Sequence, residues 1–413
     1  MYIYFSGIVD HLASFTEEHS YARPKKQRIS GRFKYDMGWQ RRGSGRCYDS
    51  KSGVGTMIGN NSGKICAYGV RSKCCRKCDY YHAIGKEVPH HICSRNWVGS
   101  SKAMEPYVGG ELVKEIETHN IDVGTIIMND DCTTMSRIRK ELSHNVEKWS
   151  DQNHTVKHLG NSLYALQKKH KQLSTMVIKH VQKCFNYALA QNKGNVTEFT
   201  CALKQIVPHL FGDHDLCGNW CGYKNNPGTY KHKGLPYGRS LCGESLRSDL
   251  DKILNVFIQN AARIAPGAST KDVESFNCML ACKAPKRIHY SGSQSLYIRS
   301  SCAVAQKNVG FMYVNKINSH IGVSPGKVFQ MSAKKLQKKR KRQHETENNI
   351  EYKRRKLQRK LKNTFDNTSK EFREGPTYES GVAMTHVSDV AEIPVAKNTP
   401  TADKLDSKTL GSV

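Results

Sequence analysis

The chain has 413 residues, with 65 Lys and Arg against 36 Asp and Glu, for a formal net charge of +29. So basic a balance speaks to partners rather than fold and points to a polyanion. No window approaches the ~18–20 apolar residues of a membrane span, the first fifteen residues lack a basic leader and a small-residue cleavage site, which argues against secretion, and fifteen Cys, many grouped beside His, favour metal over disulfides in a reducing compartment.

Residues 1–30 are polar, weakly patterned and carry no assignment. Phe33–Trp39, Gly53–Gly59 and Lys64–Val70 read as consecutive antiparallel strands, with Asn60-Asn61-Ser62-Gly63 as a hairpin turn. A Cys/His-rich interruption runs from Cys74 to Cys93. Ala103–His119 has helical spacing, with Val108, Leu112, Val113 and Ile116 on one face. Val123–Met128 is a compact apolar strand ending in Asp130 and Asp131, and Thr134–Leu142 reads as a helix. Three antiparallel strands, a helix, a strand closing in acid and another helix predict a ribonuclease-H-like α/β core. It is a mixed sheet with flanking helices, interrupted by a zinc-knuckle-like loop and a large helical insertion.

From Thr155 to about Gly194, apolar residues from Leu159 to Ala188 keep helical spacing, as one long or two medium helices. A helix over Thr197–Val207 stops before Pro208, and Glu244–Ile264 is helical again. Ser269-Thr270-Lys271-Asp272 starts another helix, capped by Thr270 or Ser269, which puts Glu274 in its first turns. These signals divide the chain into an N-terminal segment (1–30), the first part of the core (31–154) and a helical insertion (155–265). The rest of the core (266–330), a basic segment (331–365) and a disordered tail (366–413) follow.

Asp36, Asp131 and Glu274 lie at element edges where one fold can bring them together, with Asp130 as the alternative to Asp131. Converging carboxylates are what hard divalent ions require, and phosphodiester chemistry is their natural use in so basic a protein. Singly, each acid reads as an exposed or capping residue. Cys75, Cys78, His91 and Cys93 have zinc-ligand spacing, with Cys74 or His90 as substitutes, against free thiols as the other reading. His209, His214, Cys217 and Cys221, with His232 nearby, form a less regular second set. By spacing alone, Asp151 with His154 reads as an N-cap and a surface His. Between Lys334 and Lys362 there are 14 Lys and Arg against 3 Glu. The blocks containing Lys338, Arg340, Lys341, Arg342, Lys353, Arg354 and Arg355 suit a nuclear import signal or a phosphate-binding arm; Arg41 and Arg42 join them as candidate DNA contacts.

Asp36-Met37-Gly38-Trp39-Gln40-Arg41-Arg42-Gly43-Ser44-Gly45-Arg46 resembles the Mutator-like transposases. So do Gly99-Ser100-Ser101-Lys102-Ala103-Met104-Glu105-Pro106, Phe211-Gly212-Asp213-His214, Leu235-Pro236-Tyr237-Gly238 and Glu274-Ser275-Phe276-Asn277. The resemblance runs from about Gly31 to Gly326. It implies an Asp, Asp, Glu site using Mg2+ or Mn2+ for DNA cleavage and strand transfer at transposon ends, in a nuclear homodimer or larger assembly. It also implies that Asp151 and His154 form the group's Asp-or-Cys-x2-His motif. Relatives read Gly-Asp-x-Asp-Ser around the second acid, whereas this chain has Met128-Asn129-Asp130-Asp131-Cys132. They also carry a separate zinc-type DNA-binding module before the core. An inactive or truncated copy, or a non-catalytic nuclear DNA-binding protein of transposase descent, is the alternative.

Overall fold

Alternating Phe33, Tyr35 and Met37 make one side of the first strand apolar, and a strand so patterned buries that side against a helix. The computed structural model describes residues 29–41, 49–218, 220–232 and 234–370. In it β1 (Ile29–Trp39), β2 (Ser52–Gly59) and β3 (Ile65–Ser72) form an antiparallel meander, close to the bounds read from sequence. Gly63, at φ 64°, takes the left-handed turn position that favours glycine. A short helix α1 (Arg76–Ala83) follows, then α2 (Ser101–Thr118), β4 (Ile121–Met128), α3 (Cys132–Glu141) and β5 (Glu147–Ser150). The sheet order is β3-β2-β1-β4-β5, with β4 parallel to both β1 and β5. Parallel neighbours need crossovers, and α2 and α3 supply them.

Helices cover both faces. On one side Tyr35, Met37 and Met57 pack with Val108, Leu112 and Val113 of α2 and Met135 and Ile138 of α3. On the other, Val54, Ile58 and Val70 meet Val273, Phe276 and Leu280 of a later helix, α11 (Lys271–Lys283). β2 is therefore buried along its whole length. β5 escaped the sequence reading because Glu147-Lys148-Trp149-Ser150 has no β-branched residue and two charges.

Between β5 and α11 the chain is helical. α4 (Gln152–Gln167) and α5 (Thr175–Gln191) divide the long periodic stretch, with Ser174 capping the second through Val177 N. α6 (Val196–Lys204) is followed by α7 (Ile206–Leu210), which contains Pro208. The expected stop before Pro208 is thus corrected: a proline in a first helical turn removes a donor that has no intrahelical partner. α8 (Gly222–Asn225), α9 (Glu244–Gln259) and α10 (Ala261–Ile264) complete the segment; Asn260 breaks the single helix expected over Glu244–Ile264. Leu159, Leu163, Val181, Phe185, Phe199, Leu250 and Leu254 form its core.

α11 (Lys271–Lys283), α12 (Ser295–Val309) and α13 (Tyr313–His320) then return to the sheet. α14 (Lys327–Asn348) and α15 (Ile350–Lys370) carry the basic blocks. The chain divides into two compact units between Lys341 and Arg342, inside the basic segment rather than at its start. In the first unit Ala333 is buried, Gln337 Oε1 accepts from Phe311 N at 3.0 Å and Arg340 donates to Gln306 O at 3.3 Å. In the second, α15 runs to Lys370. The remainder of the expected disordered tail, 371–413, and most of the unassigned N-terminal segment lie outside the described residues.

Candidate active site and metal centres

With Phe33, Tyr35 and Met37 turned to α2, the intervening Lys34, Asp36 and Gly38 face α11, and all three engage it. Lys34 pairs with Asp272, Asn277 Nδ2 donates to Asp36 Oδ2 at 3.0 Å, and Gly38 leaves room for the Asn277 amide. A β-carbon at Gly38 would stand 2.5 Å from Asn277 Oδ1. That oxygen is buried and has no hydrogen-bond partner among the described residues.

Burial raises the Asp36 carboxyl to about 6, helped by the charges of Glu274 and Asp151 and opposed by the Met37 amide and His154. Glu274, in the first turn of α11, is exposed but acts on Asp36 through its field. Asp131 caps α3. Its Oδ1 accepts from Thr133 N at 3.0 Å and Oγ1 at 2.7 Å; its Oδ2 accepts from Thr134 N at 3.2 Å and Oγ1 at 2.5 Å. Burial opposes ionisation there, yet these donors hold the carboxyl below the usual range. Asp130 turns the other way, accepting from Ser150 Oγ at 2.9 Å, with Lys148 Nζ and His158 Nδ1 each 3.7 Å off.

Glu105 was not singled out from the sequence as a site residue. Burial lifts its carboxyl to about 7, and the charges of Asp36 and Asp131 both add to the rise. Glu105 therefore lies in the field of both acids. The signal was available: Glu105 shares a helical stripe with Val108, Gly109 and Leu112, the buried face of α2. Asn277 likewise shares the stripe of Val273 and Leu280. No choice of one oxygen from each of Asp36, Asp131 and Glu274 puts all three within 4.8 Å of one another. A two-ion site does not require that, because ions about 3.5–4 Å apart share one ligand and divide the rest. The chemistry of the donor set, all carboxylate oxygen with mutual repulsion, fits divalent cations.

Asp151 is fully buried. It caps α4 through His154 N at 2.8 Å, and its Oδ2 accepts from Thr270 N at 2.7 Å and Thr270 Oγ1 at 3.0 Å. Spacing alone gave an ordinary cap with a surface His. The cap is present, but it also ties α4 to the start of α11, and half-buried His154 acts on Asp36. Thr270 occupies the N-cap position of α11 without capping it, since its hydroxyl is directed to Asp151.

Both Cys/His sets converge. Zinc bonds of about 2.0–2.3 Å give tetrahedral ligand–ligand edges of about 3.3–3.8 Å. His91 Nε2 lies 3.2 Å from Cys75 Sγ and 3.5 Å from Cys78 Sγ, which is 3.5 Å from Cys93 Sγ. His91 Nδ1 stands 2.9 Å from Pro89 O, which orients the ring and leaves Nε2 free for metal. Neither Cys74 nor His90 belongs to this group. In the second set, the Nδ1 atoms of His209 and His214 are 3.1 Å apart, and Cys217 and Cys221 stand 3.4–3.9 Å from them. Burial pushes His209 down to about 4, keeping it neutral as a metal ligand must be. His232 stands one layer back: Tyr230 Oη is 3.4 Å from His209 Nε2 and 3.1 Å from His232 Nδ1. These sets can hold a metal such as zinc. A third group, Glu117, Asp122 and His144, has its own pairing, His144 Nε2 to Glu117 Oε1 at 2.6 Å.

The family model described as Mutator-like transposase matches residues 13–221, half of the chain. The chain belongs to the Mutator-like transposases. No curated protein matches the sequence. The matched stretch contains Asp36, Glu105, Asp131, Asp151, His154 and both Cys/His sets, while Glu274 lies beyond it. Membership in this family implies transposase function in general, and with it action on DNA. No helix among the described residues is long and apolar enough to cross a membrane.

The candidate DNA contacts differ in exposure. Arg41 is exposed and pairs with Asp49 at 2.8 Å, and Arg42 lies outside the described residues. Lys338, Lys341, Arg342, Lys353, Arg354 and Arg355 are exposed, whereas Arg340 is half-buried on Gln306.

Proposed function

We propose that this chain is the catalytic region of a cut-and-paste DNA transposase with a ribonuclease-H-like core, cleaving and joining strands at transposon ends through Asp36, Asp131 and Glu274. The observation that carries this reading is the fastening of α11 along β1, which sets Glu274 in the field of Asp36 although 238 positions separate them in the sequence. The sheet order and its strand directions support the ribonuclease-H-like assignment.

The three carboxylates are the ligands for Mg2+ or Mn2+, which would supply Lewis-acid activation of the attacking oxygen and neutralise charge on the leaving one. Asn277 orients Asp36, and Asp151 holds the start of α11 in place. Glu105, with its carboxyl at about 7, can hold or release a proton near neutral pH. The two Cys/His sets are structural zinc sites. The basic blocks contact DNA phosphates and direct the protein to the nucleus, where it acts as a homodimer or larger assembly.

A second reading has its own observation. The Asp131 oxygens already accept four hydrogen bonds, and by the resemblance Asn129 stands where an Asp is expected. On that reading the chain binds DNA without cutting it. Incubating the purified chain with plasmid DNA and Mn2+ separates the two. Nicking that disappears in Asp36→Ala supports catalysis, whereas DNA binding without nicking, unchanged in Asp36→Ala, supports the second reading.

A further inference from the structure

A cleft of about 820 Å3 lies beside the second acid, where β5 meets α3, α4, α9 and α10. Its lining includes Arg139, Lys140, Lys148, Lys252 and Arg263, against one carboxylate among the described lining residues, Asp130. Lys148 is the informative member. Its side chain is 5% exposed, and its ion pair with Asp130 is 3.7 Å long, too long for a good hydrogen bond. Asp130 is itself shared with Ser150 and His158.

A buried ammonium so loosely paired is costly, because desolvation is not offset by close contact. Arg263 makes matters worse for it. The guanidinium bonds Asn260, a neutral partner, and its charge acts on Lys148. Burial, the largest cause, and the Arg263 charge both lower the Lys148 pKa, while Asp130 opposes them. Two cations lining one cavity with so little counter-charge form a receptor for an anion. Position narrows which anion, since Asp130 adjoins Asp131 in the chain and the cleft lies next to the cap of α3.

We propose that this cleft is a phosphate subsite for the DNA strand that runs past the second acid, with Lys148 and Arg263 as its principal contacts and Arg139 and Lys140 at its rim. The proposal rests on the reading of the chain as a DNA-processing enzyme and adds to it where the strand beside the cut is held. Lys252 is engaged by Asp249 at 3.4 Å and contributes less.

The test uses the full chain, with inorganic pyrophosphate titrated by calorimetry and a fluorescent single-stranded oligonucleotide followed by anisotropy across a salt series. Arg263 is exposed, so Arg263→Gln leaves the fold intact; Lys148→Met is the second variant, accepted only with a wild-type circular dichroism spectrum. The expected result is loss of pyrophosphate binding in both variants, weaker oligonucleotide binding whatever its sequence, and a salt slope reduced by about 0.7 per removed contact. Wild-type pyrophosphate and oligonucleotide binding in Arg263→Gln would overturn the proposal. The two readings fail separately. Loss of pyrophosphate affinity in a chain that never nicks DNA keeps the subsite and removes the nuclease. Asp36-dependent nicking with pyrophosphate and oligonucleotide binding unaltered by Arg263→Gln does the reverse.

Discussion

The Asp151 carboxylate accepts two hydrogen bonds from Thr270, 119 positions further along the chain, from the backbone N–H at 2.7 Å and the hydroxyl at 3.0 Å. Its other oxygen caps α4 through His154 N. One buried carboxylate thus joins the start of the helical segment to the start of the helix bearing Glu274. Asp151→Ala strands three donors. Each buried donor left unmade costs about 1–3 kcal/mol, so denaturant melts should show a loss on the order of 3 kcal/mol or more, with nicking lost as α11 loosens. An unchanged melting midpoint would show that this tie does not hold the fold.

Gly38 and Asn277 make a second, separable test. Gly38→Ala drives a β-carbon into the Asn277 amide and turns Asp36 with it. Metal-dependent nicking should fall sharply, with stability reduced by about 1–3 kcal/mol as for other overpacked sites. Asn277→Ala removes the clash, so the double variant should regain stability but not nicking.

Acid crowding predicts a pH dependence. The Asp36 and Glu105 carboxyls rise from ordinary values near 4 to about 6 and about 7, burial being the main cause. Between those values these two carboxyls bind protons in the folded chain that the unfolded chain has released, so their contribution to stability falls as pH rises. With the zinc sets left loaded and no Mg2+ or Mn2+ added, the stability advantage of Asp36→Asn over wild type should grow from pH 5 to pH 8. Mg2+ or Mn2+ should shrink that difference at pH 8. A difference that stays flat or narrows over this range would contradict the crowding.

Metal removal should act on two distinct loops. Zinc analysis of the purified chain is expected to find both sets filled; Cys78→Ser should empty the first and Cys217→Ser the second. Tyr230→Phe removes the hydroxyl between His209 and His232. Losing such an outer-shell partner weakens metal binding by about 10–100-fold, so competition with a chromogenic chelator should release zinc from the second set at lower chelator concentration. Equal release from wild type and Tyr230→Phe would remove Tyr230 from the centre.

Local pattern was enough for the meander, α2, β4 and α3, because periods of two and of about 3.6 are written in neighbouring residues. It was enough for both Cys/His sets, because a tetrahedral centre closed by short loops leaves its spacing in the chain. Family strings located Asp36 and Glu274. What tertiary structure alone decided was direction and company. Asp130 and Asp131 are adjacent in sequence, yet one joins Lys148 and Ser150 while the other caps α3, since only Asp131 occupies the N-cap position that aims its carboxylate at the first-turn amides. Glu105 entered the field of Asp36 and Asp131 only when α2 folded over β1, and Thr270 exchanged its expected capping role for Asp151. Contacts between residues more than a hundred positions apart leave no local period, and burial, which moves the carboxyls, exists only once the helices have closed over the sheet.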